Sequence, residues 1–201
     1  MEKEKVFYEN ELKNISLGRK VVEEFIEMFE DMVDLRFSQM KVKCLKNEDR
    51  IIGEIKHSFL VLFEQTRQRH KDMDIRYIYI SYLRSSFLGK TSTYRIDLYD
   101  QEDRLSEMEC AVYWNCKEIS DEFYSIRDEL KDIFKRQSKL KDYVLDERIV
   151  ELAEEVCDFA KPFIKKAIIQ LMEENANLWK QREMPVFFIG EYMDKTEEIR
   201  Y

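Results

Sequence analysis

The sequence predicts an α+β fold: a helical hairpin, a three-stranded antiparallel meander, two long helices, and a short C-terminal strand that joins the sheet beside its first strand. Three observations lead to it. Apolar residues recur every three or four positions over the first seventy residues, as in helices with one buried face. The period drops to two between residues 75 and 114, a stretch rich in Ile and Tyr, as strands require. It returns to 3.6 over 118–180, before a last apolar run that follows Pro185.

The first helix is expected over about 10–43. Val22, Phe25, Phe29, Met32, Val33, Phe37 and Met40 stack on one face, and Glu23, Glu24, Glu27, Glu30 and Asp34 lie on the other. Residues 47–49 offer capping side chains to a second helix that runs to about His70 on Ile52, Ile55, Phe59, Leu62 and Phe63. So short a connection makes the two an antiparallel hairpin. Strands are expected over 76–83, 94–99 and 108–114. The second and third alternate strictly, which places Arg95, Asp97, Tyr99, Glu107 and Glu109 on a solvent face. The first differs, with Ile78, Ile80 and Tyr82 on one side and Ile75, Tyr77, Tyr79 and Leu83 on the other. A strand apolar on both faces makes a poor bare edge. The expected remedy is that Val186, Phe187, Phe188 and Ile189 pair beside it. The rival remedies are cover by the first helix, or edge-to-edge pairing of two copies.

Ile119, Phe123, Ile126, Leu130, Ile133 and Phe134 define a third helix over about 118–138. Ile149, Leu152, Val156, Phe159, Phe163, Ala167, Leu171 and Leu178 define a fourth over about 146–180. Pro162 removes a backbone donor inside it and is expected to kink or split it. The organisation is therefore one domain over 1–201, with the sheet in 75–114, helices in 118–180 and the last strand in 185–193. The hairpin of 1–70 is the part that would form an arm of its own.

Charged residues make up 38% of the chain and apolar ones 44%, a mix that belongs to a folded domain with a heavily charged surface. The 201 residues suffice to bury a core without metal or disulfide. Four glycines and two prolines leave little room for Gly-rich phosphate cradles or Pro-rich linkers. A net charge of −8 argues against non-specific binding to nucleic acid. No apolar stretch is long enough to span a membrane, and no signal core, myristoylation site or prenylation box is visible. Cys44, Cys110, Cys116 and Cys157 form no Cys-x-x-Cys pair, so reduced core thiols and a cytoplasmic location are expected.

Motifs for chemistry are incomplete. Gly89, Lys90 and Thr91 end like a phosphate-binding loop, but Arg84 stands where the first glycine is needed, and a strand follows where a helix should. Glu54 and His57 have the spacing of half a di-iron site, yet the only other histidine, His70, has no Glu three residues before it. There is no nucleophile elbow and no zinc-ligand spacing. Neither a cofactor nor a metal is expected.

Two features point to a binding surface. Tyr77, Tyr79, Tyr82, Tyr94, Tyr99 and Tyr113 crowd the sheet, and tyrosine, with an apolar body and polar tip, is enriched at interfaces, though strands favour it without any partner. From Asp142 to Asp158 there are seven acids and one base, Arg148. One account of that run is helix electrostatics, with Asp146, Glu147 and Glu151 opening the fourth helix against its macrodipole. The other is an acidic docking face that also takes in Glu154 and Glu155. Together these features suggest a protein-binding module, most concretely an acidic immunity- or antitoxin-type inhibitor of a basic, nuclease-like partner. For that reading Tyr77, Tyr79, Tyr82, Tyr99 and Tyr113 are the candidate anchors, and Asp146, Glu147, Glu151, Glu154 and Glu155 the steering charges. The alternatives are a small enzyme using Arg84, Arg95, Asp97 and Tyr99 on the sheet, or a structural or regulatory module that homodimerises through its long first helix.

Overall fold

The computed structural model describes residues 2–70, 74–83, 86–87, 94–107, 110–136, 142–175 and 183–200, with the side chains of the first helix described from Arg19 onward. Helix α1 spans Glu2–Lys46 and α2 spans Glu48–Arg69, joined by the single residue Asn47. Asn47 does not cap α2 as expected. Its amide instead donates to the Lys43 carbonyl at 2.8 Å, closing the end of α1.

Three strands follow as a meander: β1 (Tyr77–Tyr82), β2 (Tyr94–Tyr99) and β3 (Cys110–Trp114). Helix α3 (Lys117–Lys135) and helix α4 (Asp142–Glu174) come next. Pro162 does not split α4, which stays helical on both sides of it. The chain then adds β4 (Val186–Glu191) and β5 (Thr196–Ile199).

The sheet order is β3-β2-β1-β4-β5, with β4 parallel to β1 and every other pair antiparallel. The expected remedy for β1 is thus the observed one: Tyr77 to Tyr82 run level with Val186 to Glu191, and β1 is the central strand. The register places Ile78, Ile80, Tyr82, Tyr94, Ile96, Leu98, Val112, Trp114, Phe187 and Ile189 on one face, and this face meets the helices. Phe59 of α2 meets Phe187 edge to face at 6.0 Å, and α2 lies chiefly against α4 and β3.

Helix α1 lies chiefly along α3. Phe25 packs on Phe134 at 5.9 Å, and the Arg36 guanidinium reaches Glu122 and Glu129, each at 3.0 Å. Phe37 meets Phe159 of α4 at 6.4 Å. Phe25, Phe29, Val33, Met40 and Cys44 of α1 belong to the same connected set of buried residues as the sheet and the other helices. Fully burying a side chain of the Leu or Phe class contributes about 1.5–3 kcal/mol, which is why the apolar phase of each helix sets the face it turns inward. All four cysteines are free and buried. No helix among the described residues is long and apolar enough to cross a membrane.

Candidate functional site

The second face of the sheet carries Tyr77, Tyr79, Ser81, Arg95, Asp97, Tyr99, Ala111, Tyr113 and Phe188. It was expected to be wet on β2 and β3, and on β2 it is not. Asp97 is 1% exposed, and Ser81, Tyr79 and Tyr99 are also buried. The reason is cover that alternation does not reveal. A single 3-10 turn at Asp103–Leu105 and the turn at Tyr192 fold over this face. Tyr79 donates its hydroxyl to Asp103 Oδ2 at 3.0 Å, the Arg104 guanidinium lies 4.2 Å above the Tyr79 ring, and that of Arg95 lies 4.9 Å above the Tyr192 ring. Tyr79 also stacks on Phe188, with ring centres 4.9 Å apart.

Burial with the bond to Asp103 pushes the Tyr79 phenol up to about 12, and burial does the same to Tyr99. Asp97 accepts from Arg95 Nε at 2.7 Å, yet burial outweighs that ion pair and raises its carboxyl above the ordinary range. Asp97 Oδ2 and Asp103 Oδ1 are buried without a hydrogen-bond partner among the described residues. Arg95, Asp97 and Tyr99 are therefore brought together as the sequence suggested. Glu107 is exposed at the edge, whereas Arg84, Glu109 and residues 88–93, which include the Gly-Lys-Thr motif, lie outside the described residues.

The tyrosines do not form one outward surface. Tyr79 and Tyr99 are buried, so neither can anchor a partner in this conformation. Tyr77 is half-buried against Phe188, and Tyr113 on β3 is 58% exposed. Tyr82 is on the opposite, helix-facing side of the sheet, half-buried and edge-on to Phe87 at 6.1 Å.

The acidic run takes its shape from α4, and the helix boundary decides how to read it. α4 is already under way at Asp142. A macrodipole acts within the first turn, so Asp146, Glu147 and Glu151 do not open the helix, and that account of them fails. All five acids, Asp146, Glu147, Glu151, Glu154 and Glu155, are exposed. Arg148 holds Glu151 at 2.6 Å while lying over the Phe29 ring. Asp146, Glu147, Glu154 and Glu155 make no ion pair among the described residues. The sequence did not reveal that Asp34 of α1 joins this surface. Partial burial, then the charges of Asp34, Glu151 and Asp158, raises the Glu155 carboxyl.

At its far end this ridge opens into a cleft of about 370 Å³ between α4 and the β4–β5 hairpin, lined among others by Tyr82, Glu154, Asp158, Lys161, Glu191 and Glu197. Here a predicted tyrosine and a predicted carboxylate meet. Lys161 bridges Asp158 at 2.7 Å and Glu197 at 2.8 Å, and these bonds raise its pKa against the opposing effect of burial. The hairpin that closes the cleft was half foreseen, because β5 carries no strand signal.

Among the described residues no three His, Cys, Asp or Glu side chains are grouped to hold a metal ion. Glu54 is engaged by Arg50, and His57 is exposed beside it on α2. The chain matches no protein-family model, no curated protein and no solved structure.

Proposed function

We propose that this chain is a protein-binding module whose docking face is the acidic ridge of α4 with the Tyr82 cleft at its end. In its most concrete form it is an immunity- or antitoxin-type inhibitor that occupies a basic partner. One observation supports the reading above the others: four carboxylates make no ion pair among the described residues along α4, beyond the turn where helix electrostatics would account for them. Like charges gathered on one surface destabilise the free protein, and a basic partner relieves them. The long-range field steers the encounter. A Lys or Arg side chain of the partner would enter the cleft between Glu154 and Glu191, its stem against the Tyr82 ring.

The test reverses Glu151, Glu154 and Glu155 together to Lys and compares this variant with the parent chain in affinity capture from native extract at low and moderate salt. A basic protein held stoichiometrically by the parent chain, lost at higher salt and not held by the variant, is the expected result. A partner held equally by both, with unchanged salt dependence, would sink the electrostatic docking face.

A second reading, a small-molecule site on the sheet, is favoured by the unpartnered buried oxygens of Asp97 and Asp103 beside Arg95 and Arg104. A ligand copurifying with the parent chain and absent from Asp97→Asn would favour it over the first.

A further inference from the structure

Helix α1 carries a second apolar stripe that its own fold leaves bare. Val21, Met28, Leu35 and Val42 recur at intervals of seven, and Leu45 extends the row by one turn. Such a repeat drifts only about 20° per heptad, so the four stay on one side of the helix over about 32 Å. That side is not the buried one, which carries Phe25, Phe29, Val33, Met40 and Cys44. Leu35 is 61% exposed, and Met28, Val42 and Leu45 are also exposed.

The charges beside this stripe say what fits it. Residues 21–34 hold six acids and no base, and residues 36–46 hold four bases and no acid. Glu23 and Glu24 reach back to Arg19 and Lys20, and Arg36 is taken by α3. Glu27, Glu30, Asp31 and Asp34 make no ion pair among the described residues, nor do Lys41, Lys43 and Lys46. The macrodipole accounts for bases in the last turn but not for an acidic block beginning far inside a helix that starts at Glu2. The two unpaired sets complement each other, and on one straight helix they meet only when a second copy runs the opposite way.

We propose that α1 pairs antiparallel with α1 of a second copy, the two Leu35 side chains meeting at the two-fold axis. Met28 then comes level with Val42 of the other copy, and Glu27 comes onto the same side of the seam as Lys41 of that copy, about half a turn away along the axis. The contact is isologous and closes on itself, so it makes a dimer and not a filament. Apolar residues at seven-residue spacing supply the seam, and the flanking charges select the antiparallel sense over the parallel one, in which acid would face acid.

The experiment is sedimentation of the full chain at concentrations up to about 100 µM, where even a weak dimer is populated. The parent chain should dimerise with rising concentration. Leu35→Glu should be monomeric, with a circular dichroism and melting close to the parent's, because that side chain is mostly exposed. Glu27→Lys, which alters two symmetric contacts in the dimer, should weaken self-association by at least roughly tenfold, as should Lys41→Glu, while an equimolar mixture of the two variants should restore the dimer. A parent chain that stays monomeric, or a dimer that survives Leu35→Glu, would overturn the proposal. A dimer lost in Leu35→Glu but indifferent to both charge reversals would overturn the antiparallel register.

Discussion

Replacing Gly190 with Ala probes the hairpin that closes the cleft. Gly190 faces Thr196 across β4 and β5, and a Cβ there would fall 2.1 Å from the Lys195 carbonyl oxygen and 2.8 Å from Thr196 Cα. Both are backbone atoms, so no change of rotamer relieves the clash and the strands must part. The same Lys195 carbonyl accepts the Glu191 N–H at 2.9 Å, and this bond goes with the separation. Overpacking costs about 1–3 kcal/mol and a lost backbone hydrogen bond about 1, giving about 2–4 kcal/mol in all. In a chain of this length each kcal/mol moves Tm by about 2–4 °C, so Gly190→Ala should melt about 5–15 °C lower. Gly53 supplies a control of opposite sign. It lies in the interior of α2, and a Cβ there meets nothing within 4 Å. Ala is the better helix former by about 1 kcal/mol, so Gly53→Ala should raise Tm by about 2–4 °C. Urea titration and thermal melting of both variants by circular dichroism provide the measurement. The reasoning fails if Gly190→Ala melts with the parent chain, or if Gly53→Ala is the more damaging of the two.

Other outcomes follow from the buried and crowded charges. Folded Glu155 holds its proton more tightly than the unfolded chain does, so ionising it as pH rises through its raised pKa removes stability. Glu155→Gln should therefore stabilise the protein at neutral pH by about 0.5 kcal/mol, with the gain vanishing below about pH 4, as read from urea midpoints across pH. Arg95→Ala leaves the Asp97 carboxyl at 1% exposure without the guanidinium that pairs with it, so ionising it becomes still more costly. The substitution should cost about 3 kcal/mol, and adding Asp97→Asn should recover most of that loss in a double-mutant cycle. A double variant as unstable as Arg95→Ala alone would show that lost packing, not the stranded charge, carries the effect.

The elements with a strong period were legible in the sequence. β2 falls where the alternation of Tyr94 to Tyr99 places it, and the doubly apolar pattern of β1 points to its neighbour β4. β5 was not legible. Thr196, Glu197, Glu198 and Ile199 are too few and too polar to show a period, yet charge on a short edge strand is how a sheet end avoids pairing further. The start of α4 lay before its expected place because Tyr143, Val144 and Leu145 are apolar in succession and show no period of three or four, and with it went the meaning of the acids that follow. Burial of Tyr79 and Tyr99 was hidden for another reason: alternation reports which face a residue shares, not what a distant turn lays over that face. Asp34 beside Glu155 depends on how α1 crosses α4, which no local pattern encodes.

The parallel pairing of β1 with β4 joins segments more than a hundred residues apart. During synthesis, β1 must therefore wait through the making of both later helices with one edge open, although its side chains are apolar on both faces. Contacts so distant form late, because closing the intervening loop is entropically costly. Until β4 arrives, Tyr77 to Tyr82 is a template for any other extended chain. Loss of residues 183–200 should accordingly yield insoluble protein rather than a soluble, loosened fold, and chaperone dependence should concentrate in the interval before those residues leave the ribosome.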